Sequence, residues 1–395
     1  MVRSACFLSS VSALVIVLPL VLSGCDGKHV RSSAAPTPMA SAASGVSAAP
    51  TAPAPPSPRR IARRPKASGI GLRAGNPAGH AAVPAAARPV DTSHPTRVVG
   101  HGGPRGCTSA AVVAAVAKGG IIAFDCGPAP VTIAMKATAK IRNSVGRTVL
   151  DGGGLVTLSG GGARRILYMN TCDQAQGWTA SHCNDQTTPR LTVQNITFAN
   201  GNATGHKQDG GGGGAIFVRG GRLTVVNVRF TDNRCDSTGP DLGGAAIRVL
   251  DQYHGLPVYI TGSTFQGGAC SNGGALSSIG VSWTILNSLF TGNRAIGHGA
   301  NPARGGTPGG GSGGAVYADG NRFAIHIAGT VIRGNHANEG GGAVFFVSND
   351  NTGTLTLDHT HLTGNRNTGF QTPGLPGIYF HSTGRPTITA STLSR

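Results

Sequence analysis

Four basic residues recur at one place in a repeated turn. FTDNR ends in Arg234, FTGNR in Arg294, IRGNH in His336 and LTGNR in Arg366. Cations repeated at a fixed offset can hold a polyanion, each contact being weak and screened by salt. A sparser acidic set precedes a second repeated phrase: Asp209, Asp241 and Glu339 lie shortly before GGA. Two carboxyl groups ~5–9.5 Å apart could hydrolyse a glycosidic bond. A carboxylate cluster could hold Ca²⁺ for an elimination reaction. Either use requires the carboxylates to converge in one groove. Solvated corner residues that pair with one another would carry the same sequence signature, so whether the chain is an enzyme stays open.

These positions are set by an eight-residue phrase. It recurs as LTVQNITF (191–198), LTVVNVRF (223–230), VYITGSTF (258–265), WTILNSLF (283–290), IHIAGTVI (325–332), LTLDHTHL (355–362) and PTITASTL (386–393). Apolar and polar residues alternate over its first positions, the period of a strand with one buried face. Val193, Val225, Ile260, Ile285, Ile327, Leu357 and Ile388 are the expected core positions. Position 5 is Asn195, Asn227, Gly262, Asn287, Gly329, His359 or Ala390. Asn and Gly tolerate turn geometry, so a bend is expected there. GGA supplies a corner, its glycines free to take positive φ. Strand, bend, strand, corner and strand make one coil of a solenoid whose insertions enter at the corners. Coils ~4.8 Å apart bring equivalent residues into columns.

Composition agrees. Of 395 residues 63 are Gly and only 5% are aromatic, which suits many corners better than one large core. Glycine is not at every third place, which excludes collagen. The N-terminus has Arg3, an apolar run over 13–22 and then LSGC (22–25), and resembles a bacterial lipoprotein signal. That resemblance implies a signal peptide over 1–24, lipidation of Cys25 and a place in the bacterial cell envelope, outside the cytoplasm and anchored to a membrane by lipid. Residues 25–100 are rich in Ala, Pro and Ser and read as a disordered basic tether, with ten Lys and Arg against two Asp. Its run RRIARRPK (59–66) could touch anionic lipid or wall polymer. Residues 101–395 form the array, with 22 Lys and Arg against 13 Asp and Glu. This balance favours polyanionic partners. No nucleic-acid motif accompanies it, and nucleic acid is not an expected partner of an exported chain.

Removing Cys6 with the signal and Cys25 to lipid leaves six cysteines in an oxidising compartment. Cys235 and Cys270 each follow the last Phe of an octet by five residues, which places them at one corner of neighbouring coils. The expected pairs are Cys235–Cys270, Cys107–Cys126 and Cys172–Cys183. No metal site is expected, because CxxC and CxxH spacings are missing. Residues 108–118 read as a short helix capped by Thr108 or Ser109 and stopped by Gly119-Gly120. It would cover the open end of the core. Residues 171–188 read as a disulfide-closed excursion containing Trp178, and 295–312 as a flexible insertion.

GGA followed by Ile, Val or Leu, alternating with FxxN as in FTDN (230–233) and FTGN (290–293), resembles the repeat of polymorphic outer-membrane proteins. More broadly the pattern is similar to right-handed parallel β-helices of the pectate-lyase-like superfamily, over roughly residues 120–395. The resemblance implies an all-β fold, a right-handed parallel β-helix with a short N-terminal capping helix. It implies little about function, since such folds include lyases, glycosidases, adhesins and stalks. LDH (357–359) weakly resembles the strand that supplies a Ca²⁺ ligand in pectate lyases, which would give Asp358 that role. The downstream RxPxxR phrase is missing, GRPTIT (384–389) being only its beginning. The paired-aspartate and RIK phrases of polygalacturonases are absent. GHG (297–299) falls in a Gly-rich insertion, and His254, His298, His326 and His361 lack metal-ligand spacing.

The expectation is therefore a monomeric, non-catalytic envelope β-helix. It would bind an acidic polysaccharide or another surface partner through Arg234, Arg294, His336 and Arg366, without a cofactor. The alternative is a polysaccharide lyase or glycoside hydrolase, for which Asp209, Asp241, Glu339 and Asp358 are the candidate catalytic residues and Ca²⁺ the implied cofactor of the lyase form.

Overall fold

The computed structural model describes residues 72–177 and 179–395. The signal peptide, Cys25, the basic run 59–66 and Trp178 lie outside the described residues. The fold is a parallel β-helix. Among the described residues three long sheets hold ten, nine and eight strands, a fourth holds four, and every named strand pair is parallel. The first four positions of each octet supply the first sheet and the last ones the second. The residues after GGA supply the third. Register runs octet to octet, with Val225 opposite both Val193 and Ile260, and Phe230 opposite Phe198 and Phe265.

Position 5 bends as expected. Asn195, Asn227 and Asn287 have φ of 50°, 50° and 51°, and His359 and Ala390 take the same left-handed region. In GGAA (243–246) it is the second glycine, Gly244 (φ 73°), that uses positive φ, and in the other four GGA phrases only the first does, as at Gly313 (φ 73°). The second is small for another reason: a Cβ on Gly314 would stand 2.0 Å from the Gly342 carbonyl oxygen of the next coil. Between these corners the core is one stack of like on like. Phe198, Phe230, Phe265 and Phe290 stack with ring centroids 5.5, 4.7 and 4.6 Å apart. Of the seven expected core positions, six are fully buried. Ile388, in the end strand of the first sheet among the described residues, is 36% exposed.

The asparagine of FxxN reaches from each coil to the one before it. Asn293 donates to the Phe265 carbonyl, Asn335 to Phe290 and Asn365 to Ile332. Their side-chain oxygens accept from the backbone N–H of the preceding coil, at Gly268, Asn293 and Asn335. All three asparagines are buried. The three disulfides join Cys107 to Cys126, Cys172 to Cys183 and Cys235 to Cys270, the last with Cα atoms 4.8 Å apart, one rung spacing.

The helix α1 (Ser109–Lys118) is capped by the Thr108 side chain, which accepts from the Ala111 N–H. Its buried Val112 and Val116 close the start of the core. The solenoid unit begins before residue 101. Residues 72–96 form a strap along the corner where the first and second sheets meet. The Gly75 N–H donates to Thr264 Oγ1, and Asn76 Nδ2 to the Gly329 carbonyl. The chain then turns back, and Ala81 exchanges two bonds with the Asn287 amide. Val90 does the same with Gln194, and Thr92 donates to Asp151. Gly79 permits this close approach, because a Cβ there would stand 2.4 Å from the Gly329 oxygen. Arg97–Val99 then joins the first sheet. The insertion is also more ordered than its composition suggests. His298 and Ala300 bridge antiparallel to Gly309 and Gly310, and Arg304 clamps it to Glu339.

Asn335→Ala removes a buried donor and acceptor shared by three coils. It should lower unfolding free energy in urea by about 1–3 kcal/mol. Arg322→Ala, at an exposed corner, should change it by no more than about 0.5 kcal/mol.

Candidate functional site

The four-stranded sheet is the wall between the second and third sheets. It consists of Ala269–Cys270, Arg294–Ala295, His336–Ala337 and Arg366–Asn367. Phe or an aliphatic residue anchors each turn inward, and Asn three residues later is pulled in by the ladder. The following residue must therefore point outward. Bridges run Arg234 to Ala269, Ala269 to Arg294, Arg294 to His336 and His336 to Arg366. The expected column exists, with a gap at Ala269. Arg234, Arg294 and Arg366 are exposed and His336 is half-buried. None of the four side chains makes a hydrogen bond or ion pair among the described residues. Neighbours one rung apart, ~4.8 Å, repel by under about 1 kcal/mol in water. An anion laid along them relieves that repulsion.

Arg333 belongs beside them. It stands in register with Thr291 and Thr363 on the second sheet, exposed and unpaired, in the rung where His336 replaces arginine. The signal was the Arg in IRGN where FTDN, FTGN and LTGN have Thr.

The carboxylates do not form a column. Asp209 accepts from the buried Arg165 at 2.9 Å and from the Tyr168 hydroxyl at 3.3 Å. Burial lowers the Arg165 pKa, and the Asp209 hydrogen bond opposes that shift. Glu339 accepts from both terminal nitrogens of Arg304, at 2.9 and 2.8 Å, and from the Gly299 N–H. Asp241 accepts from the Asn301 amide at 3.0 Å. Asp358 stands at a different corner, the bend between first and second sheets, beside His359 at 2.7 Å. Three of the four are thus held at the loops entering the third sheet, each by its own partners, and the fourth is remote from them.

One carboxylate pair does come together, and sequence reading did not select it. Asp319 and Asp241 share the Asn301 amide nitrogen, at 3.2 and 3.0 Å. Asp319 also accepts from the Tyr317 hydroxyl and the Asn349 amide. Beneath them lies Arg248, 2% exposed, donating to Ser277 Oγ and the Asp241 carbonyl, its pKa lowered to about 10 by burial. The Asn301 side chain fills the space between the two carboxylates, where a sugar would have to enter. Among the described residues no three His, Cys, Asp or Glu side chains gather as a metal would need. Compared with protein-family models, with curated proteins and with solved structures, the chain matches none of them.

The Arg304 hydrogen bond is the main cause that holds the Glu339 carboxyl below its ordinary pKa. A carboxyl depressed in the folded state contributes stability at pH above its unfolded pKa, and loses it as pH falls through the folded one. Amide protection of the 297–312 loop should therefore drop as acid protonates Glu339. In Arg304→Ala that acid step should shrink, the Gly299 N–H still favouring the carboxylate, and protection should already be lower at neutral pH.

Proposed function

We propose that this chain is a lipid-anchored β-helix protein of a bacterial cell envelope that binds an acidic polysaccharide along the basic column, without covalent chemistry. The proposed kinship is with pectate-lyase-like β-helices carrying polymorphic outer-membrane protein-type repeats. The observation that carries the reading is the register of Arg234, Arg294, His336 and Arg366, four basic side chains in line and without internal partners. A buried structural arginine has its partners supplied, as Arg165 does. Among the described residues these four have none, and they stand on an open wall and not in a cleft. A surface of that kind suits a repeating anion that lies across several rungs, each contributing a weak contact. A single small anion would touch one or two of them. The acidic residues are engaged with amides, arginines and histidine, which favours binding over hydrolysis or elimination.

The test is equilibrium binding to uronate-containing polysaccharides at low and high salt, with unsaturated product and reducing ends followed in parallel. Single Arg234→Ala, Arg294→Ala or Arg366→Ala changes should each weaken binding by up to about 1 kcal/mol. The triple variant should lose most of the salt-dependent part. Unchanged binding in the triple variant would remove the column as the site. Turnover that disappears in Asp241→Asn or Asp319→Asn would replace this reading with an enzymatic one.

A further inference from the structure

At the start of the solenoid α1 packs over the ends of the first and third sheets but leaves the end strand of the second sheet, Val131–Ala134, uncovered. Val131 and Met135 donate to Leu155 and Ser159 of the neighbouring strand, so the odd-numbered residues face the sheet. The N–H and C=O groups of Thr132 and Ala134 therefore point to the open side, and among the described residues none has a partner. Lys136, next in that phase, donates to Ser109 Oγ at the start of α1, which places the helix alongside the open edge. Between helix and strand runs a groove of about 730 Å³ lined by Ala110, Val113, Ala114, Ala117 and Ile133 among others. It continues past Val113 and Ala117 into a smaller one that reaches Lys140 and Arg142.

An open strand edge beside an apolar trough is the geometry that accepts an added strand. It is also a hazard if nothing covers it. The charge on the rim selects among occupants. Lys136, Lys140 and Arg142 are the charged residues lining the two grooves, which contain no carboxylate. The nearby Asp173 accepts from Gln176 and the Ala175 N–H and offsets part of the Lys140 charge, which leaves the rim net positive. A second copy would bring the same cations face to face. We propose that this end of the molecule docks an extended acidic polypeptide segment by strand addition. Its backbone would pair with Thr132 and Ala134, its small apolar side chains would enter the groove, and its carboxylates would meet Lys136, Lys140 and Arg142. This surface is separate from the basic column and does not rest on the polysaccharide reading.

The probe is a labelled peptide alternating valine with aspartate, titrated into the full chain. Thr132→Pro deletes one open-edge donor and leaves the bonds of Val131 and Met135 to the sheet, as edge strands tolerate. Ala114→Glu puts a carboxylate on the exposed wall of the groove without touching the buried face of α1. Each should weaken the peptide at least tenfold with unchanged thermal unfolding. N-methylation of alternate peptide nitrogens, or lysine in place of aspartate, should do the same. The triple arginine variant of the column should bind the peptide normally. Amide exchange at Thr132 and Ala134 should slow only when peptide is added. No binding, or binding indifferent to both variants, would overturn the proposal. So would protection of these two amides without peptide, since a second copy or another part of this chain would then already fill the groove.

Discussion

The structure depends on one buried hydrogen-bonding group that recurs along the coils, the asparagine of FxxN at Asn233, Asn293, Asn335 and Asn365. A coil that turns a corner leaves a carbonyl and an N–H inside the wall with no strand to pair them, at a cost of about 1–3 kcal/mol each if unmet. Asn293, Asn335 and Asn365 meet that demand from the following coil, one side chain serving both groups. Where the octet ends in FANG or FQGG, glycine stands in the asparagine place. The coil above still supplies the amide, with Asn233 serving Gly201 and Asn293 serving Gly268. Wherever the following coil carries the asparagine, it thus templates the one before it.

From that constraint the surface follows. With asparagine held inward, the residue after it must face out in every turn, so chemistry written at that place repeats at the rung spacing. This is why arginines become a line. The carboxylates sit instead in corner loops of unequal length, where no ladder imposes register. Each is held by a residue that only the tertiary fold brings near: Arg165 for Asp209, Arg304 for Glu339 and Asn301 for Asp241. The fold arranges side chains along lines readily, and gathers them at points only where an insertion folds back.

The same distinction separates what could be read in the sequence from what could not. Strands, the left-handed bend at position 5, the pairing of Cys235 with Cys270 and the alignment of Arg294 with His336 all repeat, so they were legible from spacing. The strap over 72–96 does not repeat, and its Ala, Pro and Gly look like the tether that precedes it. Its trace was on its partners. Val226, Leu286 and Ala328 are apolar at an outward position that is polar in Gln194, Thr261, Asp358 and Thr389, and they are buried. The order of the 297–312 insertion was likewise hidden, because Arg304 and Asn301 find their acids 35 and 60 residues away. Asp319 was passed over for the same reason: nothing near it in sequence marks it as a partner of Asp241.

The central claim is that cations one rung apart act together on a single polyanion. The gap at Ala269 allows the most direct test, since Ala269→Arg would complete the line between Arg234 and Arg294 without altering a buried residue. Affinity for an acidic polysaccharide would be measured as a function of salt in both proteins. The account predicts binding tighter by up to about fivefold at low salt, a gain of up to about 1 kcal/mol, and a steeper decline as salt rises. An affinity and salt dependence identical to those of the unaltered chain would contradict it.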